Sequence, residues 1–398
     1  MNTQVIEASA DTGLHAILAV RPRLDSIALA GSRVNFPKRT LLHAGPPFAS
    51  PEDIALPVLN SAAAAAVFEC WYTDLAAARA AILASEIHLQ SAQDFDCVVP
   101  LASVLSPSQY VLVVDDAAGD GRTCFAPLNG GNQWALRLGL PDIEVVDNLR
   151  WLNEQVAPAL VGAVAAGIDL IPLADHALAQ GDDCHGRTLA GTAGFAERIA
   201  EALDESVKAL VLNYLDASPG FFLNLWMAAS KCILTAAEGK PDCQLVTSAG
   251  GNGRCFGLRV ADRPERWVTA PALPPSGVLI TGYTSEDALP AIGDSAIVEM
   301  LGFGAMAMWL SPDQQRNLGA FMPEPAETLS DALLAERHPG FVAVNVKTGL
   351  FAQTVVVQGK SPVVALGILH AEGVAGRIGG GVYKVPPELF ENVVNESY

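Results

Sequence analysis

The chain has 398 residues, of which 51% are hydrophobic and 17% charged, and its formal net charge at pH 7 is −19. This length suffices for two domains or one large one. The acidic balance argues against a nucleic-acid-binding protein, because such proteins present a basic face to phosphates. No apolar run reaches the roughly 18 residues of a membrane span. The segment Met1–Glu7 has neither a basic nor an apolar signal region, so we expect a cytoplasmic protein.

Residues 1–145 are predicted to form an N-terminal α/β domain. Short apolar runs predict strands, and the Val-rich run among them predicts a buried strand. The Ala-rich segment Leu59–Ala84 predicts two helices with a break near Trp71–Asp74. The strands are expected at Ser26–Ala30, Thr40–His43 and Tyr110–Val114.

Residues 146–240 are predicted to form a helical region. Apolar residues recur at helical spacing, Pro158 is expected to kink the first helix, and Gly181 is expected to end the second. The four helices are expected at Asn148–Ala166, Leu170–Gln180, Arg187–Leu203 and Gly220–Ala237.

Residues 241–398 are predicted to form a C-terminal α/β domain with Gly-rich loops. The fold class is therefore α/β with a helical middle, and mixed α+β is the alternative. Strands are expected at Gln244–Thr247, Cys255–Val260, Val278–Ile280, Phe341–Val346, Thr354–Val357 and Val363–His370. Helices are expected at Ala296–Leu310, Pro312–Leu318, Ala326–Glu336 and Pro387–Val394.

The seven cysteines contain no Cys-x-x-Cys pair and no spacing typical of zinc ligands. This distribution predicts free, mostly buried thiols, and we expect neither a metal site nor a cofactor.

The most polar segment is Gly181–Thr188, which lies between apolar, Ala-rich stretches. His185 beside Asp183 is a candidate acid–base pair. Arg187 is a candidate for binding a carboxylate or phosphate. The alternative for one of the aspartates is that it caps the following helix. Acidic neighbours disfavour a thiolate at Cys184, so we expect that residue to pack in the core.

Two Gly-containing segments are candidate anion sites. In Thr247–Arg254 the backbone N–H groups around Gly251, Asn252 and Gly253, with the charge of Arg254, are suited to an anion. The alternative is a hairpin, since Asn-Gly is a strong hairpin signal. Asp294 and Ser295 open a predicted helix, whose N-terminus favours anions. The alternative for Asp294 is an N-cap.

Two further polar residues stand in apolar surroundings. His43 ends a predicted strand before Ala44–Pro47, which makes it a candidate catalytic residue. Asn224 lies inside an apolar helix, where its amide either contacts a ligand or makes a structural hydrogen bond.

Ten segments, taken in order, resemble one known family over about residues 40–390. They are Leu42–Pro47, Ser106-Pro107, Leu128-Asn129, Leu149–Trp151 with Ala157-Pro158, Gly181–Arg187, Phe222–Leu225, Asn252-Gly253 with Phe256–Arg259, Thr269–Pro271, Gly282-Tyr283 and Gly293–Glu299. This pattern resembles the YlbE-like family, long catalogued as a domain of unknown function, which includes a subunit of oxamate carbamoyltransferase from anaerobic allantoin breakdown.

The resemblance implies carbamoyl exchange in which carbamoyl phosphate and oxamate form from oxalurate and phosphate. Such ligands are small anions, and Arg187, Arg254 and Arg259 would bind them while His185 or His43 moves the proton. The resemblance also implies a homo-oligomer or a complex with a partner subunit.

The chain departs from the family pattern in three segments. Ser91–Pro100 has no histidine, Gly250–Gly253 lacks the family's arginine, and His370–Val374 lacks its lysine. These losses favour one alternative, a non-catalytic scaffold subunit. A second alternative is an amide hydrolase, in which water replaces the second substrate.

Overall fold

A computed structural model describes residues 12–119, 122–129, 131 and 133–396. The strands in this part of the chain are β1 Pro22–Leu29, β2 Thr40–His43, β3 His88–Ser91, β4 Val104–Leu105, β5 Tyr110–Asp116, β6 Cys124–Pro127, β7 Ile168–Asp169, β8 Val246–Asn252, β9 Cys255–Val260, β10 Arg263–Pro271, β11 Ser276–Leu279, β12 Ile292–Gly293, β13 Leu334–Arg337, β14 Lys347–Leu350, β15 Val363–Leu369 and β16 Arg377–Lys384.

The helices are α1 12–19, α2 Leu56–Phe68, α3 Leu75–Leu83, α4 Glu144–Trp151, α5 Ala157–Val161, α6 Leu170–Ala179, α7 Leu189–Ile199, α8 Glu205–Asp216, α9 Phe221–Thr235, α10 Ile297–Leu301, α11 Pro312–Leu318, α12 Ala326–Leu333, α13 Ala352–Gln358 and α14 Pro387–Asn395. Within the described ranges, no helix has both the length and the apolar character needed to cross a membrane.

The strands of the described residues form five small sheets. Four are antiparallel, with orders β6-β5-β1-β7, β10-β9-β8-β12, β11-β16-β15 and β13-β14. The fifth, β3-β2-β4, contains one parallel pair, β2 with β3. The predicted mixture of helices and sheets is confirmed, and the antiparallel pairing corresponds to the α+β alternative.

Helix α9 lies at the centre of the fold. All of its residues except Leu223 are buried, including the polar Asn224 and Lys231, as expected for a mostly apolar helix in the core. It contacts β5 and β6 of the first sheet, β8 of the second, and α10. The largest core cluster runs from Ile17 to Val393 and includes residues of all three predicted segments. The domain boundaries stay predictions.

Most predicted elements lie close to observed ones, and the break between α2 and α3 falls where it was expected. Helices α1 and α8 were not predicted. The strands that were not predicted are β3, β4, β6, β7, β10, β12, β13, β14 and β16. The helix is interrupted near Pro158, as predicted, because proline has no N–H to donate to the helix. The interruption is a π-helical turn at Leu152–Val156, and α5 follows it.

Two predicted strands are wrong. Phe341–Val346 is irregular, because the N–H groups of residues 342–344 bind the buried carboxylate of Asp175 at 2.9 to 3.2 Å. Thr354–Val357 belongs to helix α13, in which Ala352 and Val355 are buried while Val356 and Val357 are exposed. That spacing of three is helical, so the packing outweighs the strand preference of the β-branched run.

Candidate functional site

The polar segment Gly181–Thr188 is a loop that reverses the chain between α6 and α7. Gly181 and Cys184 take positive φ values of 90° and 64°. The Asp183 Oδ1 atom accepts hydrogen bonds from the backbone N–H groups of His185 and Arg187, each at 2.9 Å. The loop is thus folded around the carboxylate of Asp183.

This fold brings His185 against Glu299 of α10. Both side chains are buried, and His185 Nδ1 lies 2.7 and 2.8 Å from the two carboxylate oxygens. Glu299 Oε1 also accepts the backbone N–H groups of Ala305 and Ala365, each at 3.0 Å. Gly304, with φ of 60°, lies against the pair so closely that a Cβ there would overlap the Glu299 carboxylate. The pair is therefore held rigidly from several sides.

The surroundings shift the proton affinities of this cluster. Burial lowers the pKa of His185, but the charge and hydrogen bond of Glu299 outweigh it, so the net pKa is raised. Burial raises the pKa of Asp183 to about 6. Among the described residues, Asp183 Oδ2 has no hydrogen-bond partner. Burial also raises the pKa of the Cys184 thiol, which fits the predicted packing role.

Arg187 lies at the edge of this cluster and is paired with two carboxylates. Its Nη1 is 2.6 Å from Asp182 Oδ1, and its Nε is 3.1 Å from Asp313 Oδ2. Asp182 Oδ2 also accepts the N–H of Gly191 in the first turn of α7, so Asp182 is the carboxylate that serves the helix start. Arg187 and Asp313 line an open depression of ≈ 400 Å³, together with Ala179, Gln180, Gly181, Leu310 and Pro312.

A second buried cluster is centred on Asp294. Its Oδ1 accepts from the Gly45 N–H at 2.8 Å and from Gln93 Nε2 at 2.7 Å, and its Oδ2 accepts from the Val99 N–H at 2.9 Å. Burial raises the pKa of this carboxyl to about 7, against the effect of these donors. Asp294 makes no cap bond to its own helix, so the N-cap alternative is not what the structure contains. Ser295 is buried in the same helical turn.

His43 belongs to this second region and is neutral at physiological pH. Burial lowers the pKa of its imidazole to about 4. Nδ1 donates to the carbonyl oxygen of Ala44 at 2.7 Å, and Nε2 has no partner among the described residues.

The altered segment Ser91–Pro100 holds Arg259. Nη1 of that arginine is 2.9 Å from Asp94 Oδ1, Nη2 donates to the Gln93 carbonyl at 2.7 Å, and the guanidinium lies 4.7 Å from the Trp267 ring centre. The residues that replace the family's histidine pattern thus make internal contacts with Arg259 and Asp294.

The Gly-rich segment is not the expected loop. Residues 246–252 form β8, Gly253 has φ of 83°, and β9 follows, so the hairpin alternative is observed. Gly251 pairs with Gly293 of β12. A Cβ on Gly251 would overlap the Ala291 carbonyl oxygen. Asn252 accepts the N–H groups of Arg254 and Cys255 at 2.9 and 2.8 Å and donates to the Pro46 carbonyl at 2.8 Å.

The remaining candidates also make internal bonds. Asn224 Nδ2 donates to the carbonyl groups of Asn129 and Phe221 at 3.3 and 3.2 Å, which is the structural alternative for this residue. Arg254 is exposed, and its Nε donates to the Asp53 carbonyl at 3.1 Å.

The structure thus brings most of the predicted site residues into two clusters that share the stretch from Asp294 to Glu299, whereas Asn224 and Arg254 make their contacts elsewhere. One contains Asp183, His185 and Arg187; the other contains His43, Asp294 and Arg259. Their roles in binding or catalysis stay predictions. Glu299 was missed, although it is the only charged residue of the apolar stretch 296–310. Within the described ranges, no group of three or more His, Cys, Asp or Glu residues is arranged to hold a metal ion.

The fold and its buried carboxylate–imidazole pair define a mixed α/β protein with a candidate acid–base site. The sequence model of the family described as oxamate carbamoyltransferase subunit AllG matches residues 87–295. The Escherichia coli K12 protein of that name is 32% identical over 99% of this chain and 98% of its own length. The chain therefore belongs to the family of oxamate carbamoyltransferase subunit AllG.

Two further proteins are similar to most of the chain. The uncharacterized protein YahG of Escherichia coli K12 is 30% identical over 89% of this chain and 78% of its own length. A crystal structure of a conserved protein of unknown function from Enterococcus faecalis V583 has a TM-score of 0.91 at 28% identity, covering 98% of this chain and 97% of that one. The fold is thus shared across nearly the whole chain.

Proposed function

We propose that the chain is a subunit of a cytoplasmic complex that transfers a carbamoyl group between phosphate and a small anionic amide, as an oxamate carbamoyltransferase does, in the breakdown of allantoin. The observation that supports this most strongly is the similarity to the Escherichia coli subunit, which extends over 99% of this chain. The matched length spans the segments that hold both buried clusters.

In the direction from carbamoyl phosphate and oxamate the reaction requires a base, because the attacking amide nitrogen loses a proton as it bonds to the carbamoyl carbon and phosphate leaves. In the opposite direction the same group returns the proton to the departing nitrogen. His185 is suited to this step. Glu299 accepts from Nδ1, which favours the tautomer with the lone pair on Nε2. His185 keeps 8% of its surface exposed, whereas Glu299 has none. We therefore propose that Nε2 accepts the proton and that Glu299 orients the ring and stabilises the imidazolium.

The anionic part of the substrate would bind at Arg187. Its bond to Asp313 is replaceable, since the Asp313 side chain is 47% exposed and solvent-exposed pairs contribute little stability. The bond to the buried Asp182 would stay and fix the guanidinium. A carboxylate or phosphate that displaced Asp313 would lie in the depression beside Arg187.

A second candidate function is that of a scaffold subunit without catalytic chemistry. It is supported by the internal contacts that the candidate binding residues make within this chain. Arg187 and Arg259 are both neutralised by carboxylates of this chain, and the amides of Asn224 and Asn252 are used internally. In that case the chain would position a partner subunit that carries the reacting groups.

Reconstitution of the complex decides between these functions. The rate of carbamoyl transfer between carbamoyl phosphate and oxamate is measured with the wild-type chain, with His185→Asn, and with His88→Asn as a control at an exposed histidine. We expect His185→Asn to lower kcat by roughly 100-fold or more, while the complex assembles normally. An unchanged kcat for His185→Asn, with activity lost only when the chain is omitted, would establish the scaffold function.

A further inference from the structure

The carboxylate of Asp183 is bound through one oxygen and unpaired at the other. Its Oδ1 atom accepts the N–H groups of His185 and Arg187, each at 2.9 Å. The backbone is fixed as well, since the Gly304 N–H donates to the Asp183 carbonyl oxygen at 2.7 Å. Oδ2, however, is buried without a hydrogen-bond partner among the residues that the structure describes. An unpaired buried acceptor is costly, so a ligand that donates to Oδ2 would be bound favourably.

A second polar group without a partner lies against the same loop. Gln314 of α11 has only 9% of its surface exposed, and its side-chain amide forms no hydrogen bond within the described ranges. A Cβ built on Gly186 would overlap Gln314 Nε2 and lie 3.4 Å from Asp183 Oδ2. The two polar atoms are therefore within about 6 Å of each other, the span of two hydrogen bonds that share one small group.

This position is next to the depression beside Arg187. Gly186 is exposed and directly precedes Arg187 in the loop. Asp313, which precedes Gln314, pairs with Arg187 and lines the depression of ≈ 400 Å³ together with Pro312. A ligand whose anionic end lies in the depression would therefore bring its neighbouring group against Gly186.

Asp183 and Gln314 are complementary to a primary amide. An ionised carboxylate only accepts hydrogen bonds, whereas the NH2 group of a glutamine donates them. A primary amide presents a donor and an acceptor side by side, so it can donate to Asp183 Oδ2 while its carbonyl accepts from Gln314 Nε2. A carboxylate in the same place would bring an oxygen against Asp183, and like charges repel.

We propose that Asp183 and Gln314 bind the primary amide of an oxamate-like substrate over Gly186, while Arg187 binds its carboxylate. This inference rests on the proposed function and names the substrate class that its site selects, a small anion with a primary amide next to the charge. A primary amide has two N–H groups, so one can be bound by Asp183 while the other gives its proton to His185, two residues along the same loop.

Isothermal titration calorimetry of the purified full chain with oxamate and with oxalate tests the proposal. Oxalate is close to oxamate in size and shape but has a carboxylate in place of the amide. The titrations are made at about pH 8, because burial raises the pKa of Asp183 to about 6 and the carboxyl must be ionised. We expect the wild type to bind oxamate at least about tenfold more tightly than oxalate.

Asp183→Asn should reverse this preference. The asparagine keeps an oxygen for the two backbone N–H groups and places an NH2 group where Oδ2 lies. Oxamate binding should weaken by about tenfold or more, the loss expected for one hydrogen bond to a charged group. Oxalate should then bind more tightly than oxamate, since its carboxylate accepts from two donors.

Gln314→Met is a second variant that leaves the loop around Asp183 untouched. It keeps the length of the side chain and removes the donor, so we expect oxamate binding to weaken by roughly three- to tenfold. Gln315→Met, one position along the same helix and exposed, should bind as the wild type does. In the reconstituted complex, Gln314→Met should raise the KM of oxamate and leave that of carbamoyl phosphate unchanged.

The proposal is overturned if the wild type binds oxamate no more tightly than oxalate, if both variants bind oxamate as the wild type does, or if only the KM of carbamoyl phosphate rises. The two proposals can fail separately. Carbamoyl transfer that needs His185 but keeps its wild-type KM values in Gln314→Met would refute the amide site alone. A preference for oxamate that depends on Asp183, in a complex without carbamoyl transfer, would refute the proposed function alone.

Discussion

Replacing Glu299 by Gln is expected to reverse the tautomer of His185 while keeping the shape of the pair. The carboxylate accepts from Ala305 N–H, Ala365 N–H and His185 Nδ1. A glutamine oxygen can still accept the two backbone groups, but its NH2 group then faces Nδ1. Nδ1 must become the acceptor, so the ring proton moves to Nε2 and the base is lost.

The magnitude follows from the same contacts. Loss of a buried, charge-assisted hydrogen bond costs about 1.5–3 kcal/mol of the free energy of unfolding. Burial is the largest single influence on the pKa of His185, and without the charge of Glu299 it is no longer outweighed, so the pKa of His185 should fall below 6.5. If His185 is the base, kcat of the complex should fall by about 100-fold.

The stability that the His185–Glu299 pair contributes should depend on pH in a definite direction. In the wild type the folded-state pKa of His185 is raised above its unfolded value. The stability from the pair is therefore fully present below pH 6.5 and is lost as the pH rises through the folded pKa. In Glu299→Gln the stability should no longer fall as the pH rises through this range.

The assay is NMR titration of the His185 ring, with urea unfolding at several pH values. Glu336→Gln, at an exposed carboxylate on β13, is the control and should behave as the wild type does. A wild-type pKa for His185 in Glu299→Gln, together with equal stability of the two proteins, would refute the exchange of tautomers.

Three further predictions concern the frame around the site. Gly304→Ala should lower the free energy of unfolding in urea more than Gly359→Ala does. Both glycines have φ near 60°, where the backbone strain of an alanine costs about 1–3 kcal/mol, but only Gly304→Ala would add a Cβ against the buried Glu299 carboxylate. Equal losses of stability in the two variants would contradict this contact. Burial lowers the pKa of His338 to about 4, so its stability contribution is present above pH 6.5 and lost as the pH falls toward 4. His338→Gln should remove up to about 3 kcal/mol of this loss of unfolding free energy at acid pH. An unchanged dependence of the unfolding free energy on pH would count against this prediction. Asp175→Asn should cost about 1–3 kcal/mol and speed hydrogen exchange of the amides at 342–344, which the carboxylate now binds; unchanged exchange would show that other contacts fix this loop.

The sequence predicted the elements whose signals are local. The break between α2 and α3 follows from Trp71–Asp74, and Asp74 caps α3 by accepting the Ala77 N–H. Strand β16 was missed because its glycines suppress a strand pattern, although they are needed for close packing on β11. The irregular loop at 342–344 depends on Asp175, which is more than 160 residues earlier, and no local pattern contains that contact.

The same distinction applies to the site. The polar segment around His185 was found because its composition differs from its surroundings. The partner Glu299 comes from a distant helix, and only its isolation among apolar residues pointed to it.

The most direct test of the central claim is a double-variant comparison of kcat in the reconstituted complex. If His185 and Glu299 act as one acid–base unit, His185→Asn and Glu299→Gln combined should lower kcat no further than His185→Asn alone. Carbamoyl transfer from carbamoyl phosphate to oxamate is the reaction to follow. Losses that multiply in the double variant, or an unchanged kcat for His185→Asn, would contradict the account.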